Sequence, residues 1–327
     1  MIPKSDKSYA LLHIYEILLA RNAVNRHEMA EKLGVSTKTI SRYISDINAF
    51  LADEKKEQQI QYSRHRKGYV LVDRDSEHIS QKDILAISKI LLESRAFNKE
   101  ELEKLLNKLT GNCFFEDKTL IRQQIRSELV NYTEVRHGKE LIKAIWEISQ
   151  AIKEQNVMEI EYTKITETGK VDEKPITRQI EPQGILFSEY YFYLVAMIRD
   201  KNYDFPAIYR LDRIQSYQIL SEKFRVVYSQ RFSEGEFRNL IQFMQAGKLQ
   251  TVTFQHQGGS IEAVLDRLPN AKIIKEEEGI YTIKAQTFGR GINIWLLSQG
   301  EHVEVLSPEE LRSEMKQRLE AAVKKYE

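Results

Sequence analysis

The chain has 327 residues, 42% apolar and 30% charged, enough for two or three cores at roughly 100–200 residues per domain and too apolar for bulk disorder. Lys and Arg total 49 against 48 Asp and Glu, so the net charge of +1 points to no partner by itself. One cysteine, Cys113, excludes an internal disulfide framework and a cysteine-based zinc site, and suits a reducing cytoplasm.

The apolar run Phe192–Ile198 is far shorter than the ~20 residues of a membrane span. The N-terminal segment MIPKSDKSYA lacks the apolar centre of a signal peptide. A cytoplasmic protein without a membrane partner is therefore expected.

Charge is unevenly distributed. Residues 1–75 hold thirteen Lys and Arg against ten Asp and Glu, a local excess of +3. Within them, Arg64, Arg66 and Lys67 lie in the acid-free stretch Gln58–Val72. So small a basic cluster also suits a solvated turn, and it gains meaning only from its surroundings.

Residues 8–21 place Leu11, Ile14, Ile17 and Leu18 at helical spacing. A short helix is predicted over 26–33, burying Met29, Ala30 and Leu33. Gly34 then falls where the chain must turn sharply, a position that favours positive φ. Ser36 can cap a second helix through its hydroxyl. There Ile40, Ile44, Ile47 and Leu51 form one buried stripe. A small Ala30 at the crossing, Gly34 at the turn and Ile40 behind it have the spacing of a helix-turn-helix. The opposite face carries Thr37, Lys38, Ser41, Arg42 and Ser45, hydroxyls and cations suited to phosphates and base edges in a major groove. An ordinary αα-hairpin with a solvated face is the alternative.

The segments IQYS and GYVLV read as strands flanking the turn RHRKG. A hairpin directly after a recognition helix is a wing, and its tip would present Arg64, Arg66 and Lys67 to the DNA backbone or minor groove. The run TISRYISDINAF followed by KGYVLV resembles the DeoR-type winged helix of bacterial transcriptional regulators.

Residues 80–110, 118–132 and 138–154 carry amphipathic helical patterns, read as a connector and the entry to the next domain. From Val157 the pattern changes to short strands. MEIEYTKI, KPITRQIEPQGI, YYFYLVAMI and AIYRLDRIQSYQIL are separated by the turn TETGK and the polar stretch RDKNYDFP, as in a small barrel or curled sheet. The cluster Tyr190, Tyr191, Phe192 and Tyr193 also suits plain core packing.

EPQGILFSEYYFYLVAMI followed by YRLDRI resembles the WYL domain, a small Sm-like β-barrel of bacterial regulators. Its Trp-Tyr-Leu triplet reads Phe192-Tyr193-Leu194 here, which replaces an indole N–H donor with a phenyl ring. The resemblance implies a positively charged pocket for nucleotides or short nucleic acids. Carried over, the ligand-binding residues are Tyr193, Arg210 and Arg213, with Arg178 from the preceding strand. Arginine suits phosphate because its planar fork binds two oxygens. Strand alternation puts Arg210 and Arg213 on opposite faces unless the strand ends near Asp212. Asp212 is also placed to neutralise an arginine in a structural ion pair.

In the last third, Phe232–Gly247 reads as a helix, and LQTVTFQ, IEAVLDR, AKIIKE and GIYTIKAQ as short strands. GINIWLLSQG reads as a helix, HVEVLSP as a strand, and the segment from Pro308 as a final helix with acids early and lysines late. A small α+β sandwich is expected, and the stretch resembles the WCX extension that follows WYL barrels.

No catalytic constellation emerges. The seven histidines never take metal-ligand spacing, Gly289-Arg290-Gly291 lacks the third glycine of a dinucleotide fingerprint, and no Walker or nucleophile-elbow motif occurs. The expectation is a multidomain α+β protein that is not an enzyme and has no metal or cofactor. Its domains are a winged helix-turn-helix over 1–75, a helical connector over 76–140, a WYL domain over 141–228 and a WCX domain over 229–327. It is read as a homodimeric bacterial regulator, more repressor than activator, bound to a palindromic double-stranded operator and modulated by a nucleotide or oligonucleotide effector. A constitutive nucleic-acid-binding protein and an enzyme with a fused winged helix are the alternatives.

Overall fold

Helix caps fall where the side-chain chemistry predicts them. The computed structural model describes residues 6–20, 22–54, 58–73, 79–111, 115–164, 174–199, 205–225 and 232–327, in two compact units, 1–135 and 136–327. Cys113, the expected turn TETGK and most of the polar stretch before Phe205 lie outside the described residues.

In the first unit, Asp6 accepts from Ser8 N and opens α1 (Lys7–Leu19), and Asn25 accepts from His27 N to open α2 (Arg26–Leu33). Gly34 ends α2 in the left-handed region at φ +66°, with nothing within 4 Å of a built Cβ, so backbone conformation rather than space requires glycine there. Ser36 Oγ accepts from Thr39 N at 3.1 Å and opens α3 (Thr37–Asp53). Ile14, Leu18, Ile40, Ile44, Ile47 and Leu51 bury together with Met29 and Ala30, as the helical spacing requires. Strands β1 (Gln58–Ser63) and β2 (Gly68–Asp73) form an antiparallel hairpin.

The expected helical run over 80–110 is two helices. The first, α4 (Gln81–Ser94), starts from a reciprocal Ser80–Asp83 capping box and stops at Arg95, which is left-handed at φ +49°. Ala96 and Phe97 bury in the break before α5 (Lys99–Gly111). Next comes α6 (Phe115–Val130), and α4 packs against both.

The second unit starts with α7 (Ile142–Glu154) and continues into β3 (Asn156–Tyr162), β4 (Ile176–Ser188), β5 (Tyr191–Ile198), β6 (Ala207–Arg210) and β7 (Ile214–Lys223). These five strands form one antiparallel sheet ordered β6-β5-β4-β3-β7. Its two edges, β6 and β7, are joined by the single 3₁₀ turn Leu211–Arg213. Three residues cannot cross a flat five-stranded sheet at ~4.8 Å per strand, so the sheet curls into a small barrel. Met158, Ile160, Ile180 and Leu194 fill it.

The rest comprises α8 (Glu234–Leu240), β8 (Leu249–Gln257), α9 (Ile261–Arg267), β9 (Lys272–Glu277), β10 (Ile280–Phe288), α10 (Gly291–Ser298), β11 (Val303–Ser307) and α11 (Glu309–Val323). The sheet order β11-β8-β10-β9 with alternating helices is the split β-α-β-β-α-β arrangement. Two expectations are corrected here. IEAVLDR, read as a strand, is the helix α9: Ser260 Oγ accepts from Ala263 N, and Val264 and Leu268 bury one turn apart. The helix read over 232–247 spans only α8, because Ile241 turns extended and bridges Phe288, and Phe243 and Met244 then adopt left-handed φ.

Candidate functional site

Helix α3 presents Lys38 and Arg42 to solvent, with Thr37 and Ser41 half-exposed beside them. Ser41 Oγ donates to the Thr37 carbonyl at 3.2 Å and lies 3.4 Å from Arg26 Nη1, so it also organises this face. Asn48, on the same helix, donates to the Ile60 carbonyl at 3.0 Å and accepts from Ile60 N at 2.6 Å. That pair sets the hairpin's position against α3. The hairpin is held again by Val24, which exchanges backbone hydrogen bonds with Tyr69 at 2.8 and 2.9 Å. Gly68 fits a close approach: a Cβ there would lie 3.0 Å from the Val24 carbonyl oxygen and press on it. Neither clamp is announced by any motif, although an Asn on the inner side of an amphipathic helix is a usable signal.

The wing cations part ways. Arg64 and Lys67 are exposed. Arg66 instead turns to α6, where its Nη2 meets Asp117 Oδ2 at 2.5 Å, with side-chain exposures of 12% and 16%. Of the three tip cations grouped from the sequence, this arginine is engaged within its own unit.

In the barrel, residue parity along β5 decides the site. Leu194 and Ala196 point to the core, and Val195 packs on α8, with Tyr193 beside it. Tyr193 pairs across the ladder with Arg210, so both lie on this outer face. Arg210 is held twice. Its Nε and Nη2 donate to Asp212 Oδ1 and Oδ2 at 3.0 and 2.7 Å, and its guanidinium lies 3.4 Å from the centre of the Tyr191 ring. This is possible because β6 ends at Arg210 and the 3₁₀ turn swings buried Asp212 back beneath it.

Burial raises the Tyr193 hydroxyl above its ordinary pKa, opposed by the charges of Arg210 and Arg213. Burial alone would lower Arg210, but its bond to Asp212 outweighs this and its pKa is raised. Tyr193 and Arg210 thus come together on the outside of the barrel wall, within electrostatic reach of Arg213. With two of its five N–H donors committed to Asp212, Arg210 keeps three for another acceptor. Arg178 stands apart on β4, opposite Ile160, and donates to the Thr177 carbonyl at 3.3 Å. Asp212 makes the structural ion pair with Arg210 that its position allows, and Tyr191 joins the cluster unannounced, the alternation Tyr191, Tyr193, Val195 being its signal.

The glycines flanking Arg290 have a packing role. A Cβ on Gly289 would lie 2.2 Å from the Gln245 carbonyl oxygen, and one on Gly291 1.7 Å from that of Gln242. Among the described residues no group of three His, Cys, Asp or Glu side chains is placed to hold a metal, and no helix is long and apolar enough to cross a membrane.

Comparison with known families gives three matches in series: an HTH domain over residues 10–70, a WYL domain over 143–219 and a WCX domain over 242–323. No curated protein matches the chain. Among solved structures, proteasome accessory factor B/C (PafBC) of Arthrobacter aurescens is 16% identical at a TM-score of 0.33, over 99% of this chain and 49% of its own, so this chain spans about half its length. A CRISPR Cas-related protein is 13% identical at a TM-score of 0.38, over 97% of this chain and 78% of its own.

Proposed function

Because the chain belongs to the WYL-domain transcriptional regulators, with HTH, WYL and WCX domains in that order, we propose that it is a ligand-modulated, DNA-binding repressor acting as a homodimer on a palindromic operator. The observation that carries this reading is the exposed face of α3, where Lys38 and Arg42 stand free of acidic partners among the described contacts, with Arg64 and Lys67 exposed on the wing that follows. A single recognition helix covers one half-site, and a two-fold pair doubles the contacts.

We assign 1–75 to DNA binding, 76–140 to the connector, 141–228 to sensing and 229–327 to the C-terminal domain. The effector is a nucleotide or short single-stranded nucleic acid. Its phosphate meets the free donors of Arg210 and the charge of Arg213, beside Tyr193. Arg178, on β4, is the fourth member of the proposed set. For the effector to act, it must bind the DNA-competent and DNA-incompetent arrangements with different affinity.

The test is operator binding by the full chain, with selected DNA, titrated with mono-, cyclic and oligonucleotides. A change in operator affinity with one ligand class, lost in Arg210→Ala, is expected. Operator binding indifferent to every class would leave a constitutive DNA-binding protein, and absence of sequence-specific DNA binding would overturn the reading altogether.

A further inference from the structure

A cleft of about 470 Å³ lies between the turn joining β4 and β5 and the face of the C-terminal domain formed by α9, α10 and the end of β8. It is lined by His256, His302, Arg267, Phe243, Trp295 and Glu189, among others. No part of the DNA-binding or effector reading uses it.

Two buried nitrogens in it have no hydrogen-bond partner among the described residues. His256 sits on β8 at 4% exposure, and its buried Nδ1 has no hydrogen-bond partner among the described residues. The buried Nε of Arg267 has none either. Leaving buried donors unpaired costs about 1–3 kcal/mol each, and natural folds keep few without reason. Glu189 approaches Arg267 only through Nη2, at 3.7 Å, and leaves Nε free. His302 Nδ1 is engaged by the Gln257 carbonyl at 3.0 Å, which fixes that ring at the rim.

The walls are aromatic. Phe243 is held left-handed at φ +50°, rare for a bulky residue, and its ring lies 4.7 Å from the Arg267 guanidinium carbon. Trp295 packs edge-on against Phe254 and closes the floor. Burial, and next the neighbouring His302, lower the pKa of His256. The ring is therefore neutral near pH 7 and offers a hydrogen bond rather than a charge. One cation with a carboxylate at its far side, two imidazoles and two aromatic rings around a cleft of ligand size define a particular chemistry.

We propose that this cleft binds a small planar organic anion, an aromatic carboxylate or aryl phosphate, with its charge at Arg267 and His256 and its ring between Phe243 and Trp295. The anion displaces Glu189 from Arg267 or takes the free Nε beside it. The site is separate from the outer barrel wall that carries Arg210.

The experiment uses the full chain carrying Trp146→Phe, which removes the only other tryptophan, itself 67% exposed, and leaves Trp295 as sole reporter. Benzoate, phenyl phosphate, benzyl alcohol and inorganic phosphate are titrated against its fluorescence. A saturable change with benzoate or phenyl phosphate is expected, with benzyl alcohol and inorganic phosphate at least roughly tenfold weaker. Arg267→Gln weakens the aromatic anions by about tenfold or more, and Arg210→Ala leaves their binding unchanged, so this site and the effector site fail independently. Should Arg267→Gln also lower the melting temperature, the imidazole nitrogen resonances of His256 in the unmodified chain decide. Movement on adding phenyl phosphate supports the site, and invariance overturns it. Absence of saturation by either aromatic anion, or equal binding of inorganic phosphate, also overturns it.

Discussion

Arg66, in the turn of the wing, and Asp117, near the start of α6, form an ion pair at 2.5 Å in which neither side chain is more than one-sixth exposed. A cation that sequence context assigns to DNA is spent inside the unit, linking the hairpin to the helices that follow it. Removing one partner of a largely buried pair leaves the other uncompensated. Arg66→Ala and Asp117→Ala should each destabilise the first unit by about 1–3 kcal/mol, and the double variant by less than their sum. Chemical denaturation in a double-mutant cycle measures this, and strict additivity would mean the contact is idle.

The same pair changes the expected salt dependence of DNA binding. Arg64→Ala and Lys67→Ala should each reduce the log–log salt slope by about one unit, the loss of one phosphate contact. Arg66→Ala should leave the slope nearly unchanged. Affinity titrations at several salt concentrations distinguish the three positions, and an equal effect from all of them would contradict the engagement of Arg66.

On α3, Arg42 is exposed and its guanidinium is only loosely placed, 6.0 Å from the Tyr43 ring centre. A free arginine on the reading face that contacts a base contributes roughly 1–3 kcal/mol of discrimination. Arg42→Ala should therefore weaken specific binding by that amount and nonspecific binding far less. Competition with random-sequence DNA at fixed salt reads the ratio.

Asp212 anchors Arg210, so the two residues give different phenotypes. Asp212→Asn should lower the melting temperature, because a half-buried arginine fork loses its buried charge partner. Arg210→Lys keeps the charge but loses the bidentate grip and the flat stack on Tyr191. It should fold and bind operator while losing effector response. A lysine variant that responds fully would move the phosphate contact to Arg213.

Tyr217 supplies a pH test of the barrel. Burial, reinforced by its hydrogen bond to Glu147 at 2.5 Å, raises its hydroxyl from 10.0 to about 12. The folded chain then holds a proton that the unfolded chain has lost between these values. This contribution is complete below pH 10 and is lost as pH rises through about 12. Tyr217→Phe should flatten the fall of stability with pH across that window. An unchanged slope in alkaline denaturation would show that the bond is not retained in solution.

How far the sequence reaches depends on the range of the force involved. Caps, turns and single-element periodicity are local, and Ser36, Gly34 and the stripe Ile40–Leu51 were legible because each depends on neighbours within one or two turns. IEAVLDR was misread as a strand because seven residues with four apolar positions fit both periods, and the serine cap was the overlooked arbiter. The helix expected through Gly247 failed for a tertiary reason: Ile241 leaves it to pair with Phe288.

The sequence by itself determined the order of domains, the helix-turn-helix with its hairpin, and the gathering of Tyr193, Arg210 and Arg213 in one short region. The helix-turn-helix and hairpin follow from spacing along the chain, whereas the domain order and the trio follow from the resemblance to WYL and WCX domains. Only the tertiary structure decided that Arg66 belongs to Asp117, that Arg210 is clamped between Asp212 and Tyr191 on the outer barrel wall, that Arg178 stands apart, and that an aromatic cleft forms around His256 and Arg267. The physical reason is that a long cation satisfies whichever carboxylate or ring folding brings within a few ångströms. That partner can be fifty residues away, as Asp117 is from Arg66, and no periodicity in the sequence carries such a distance.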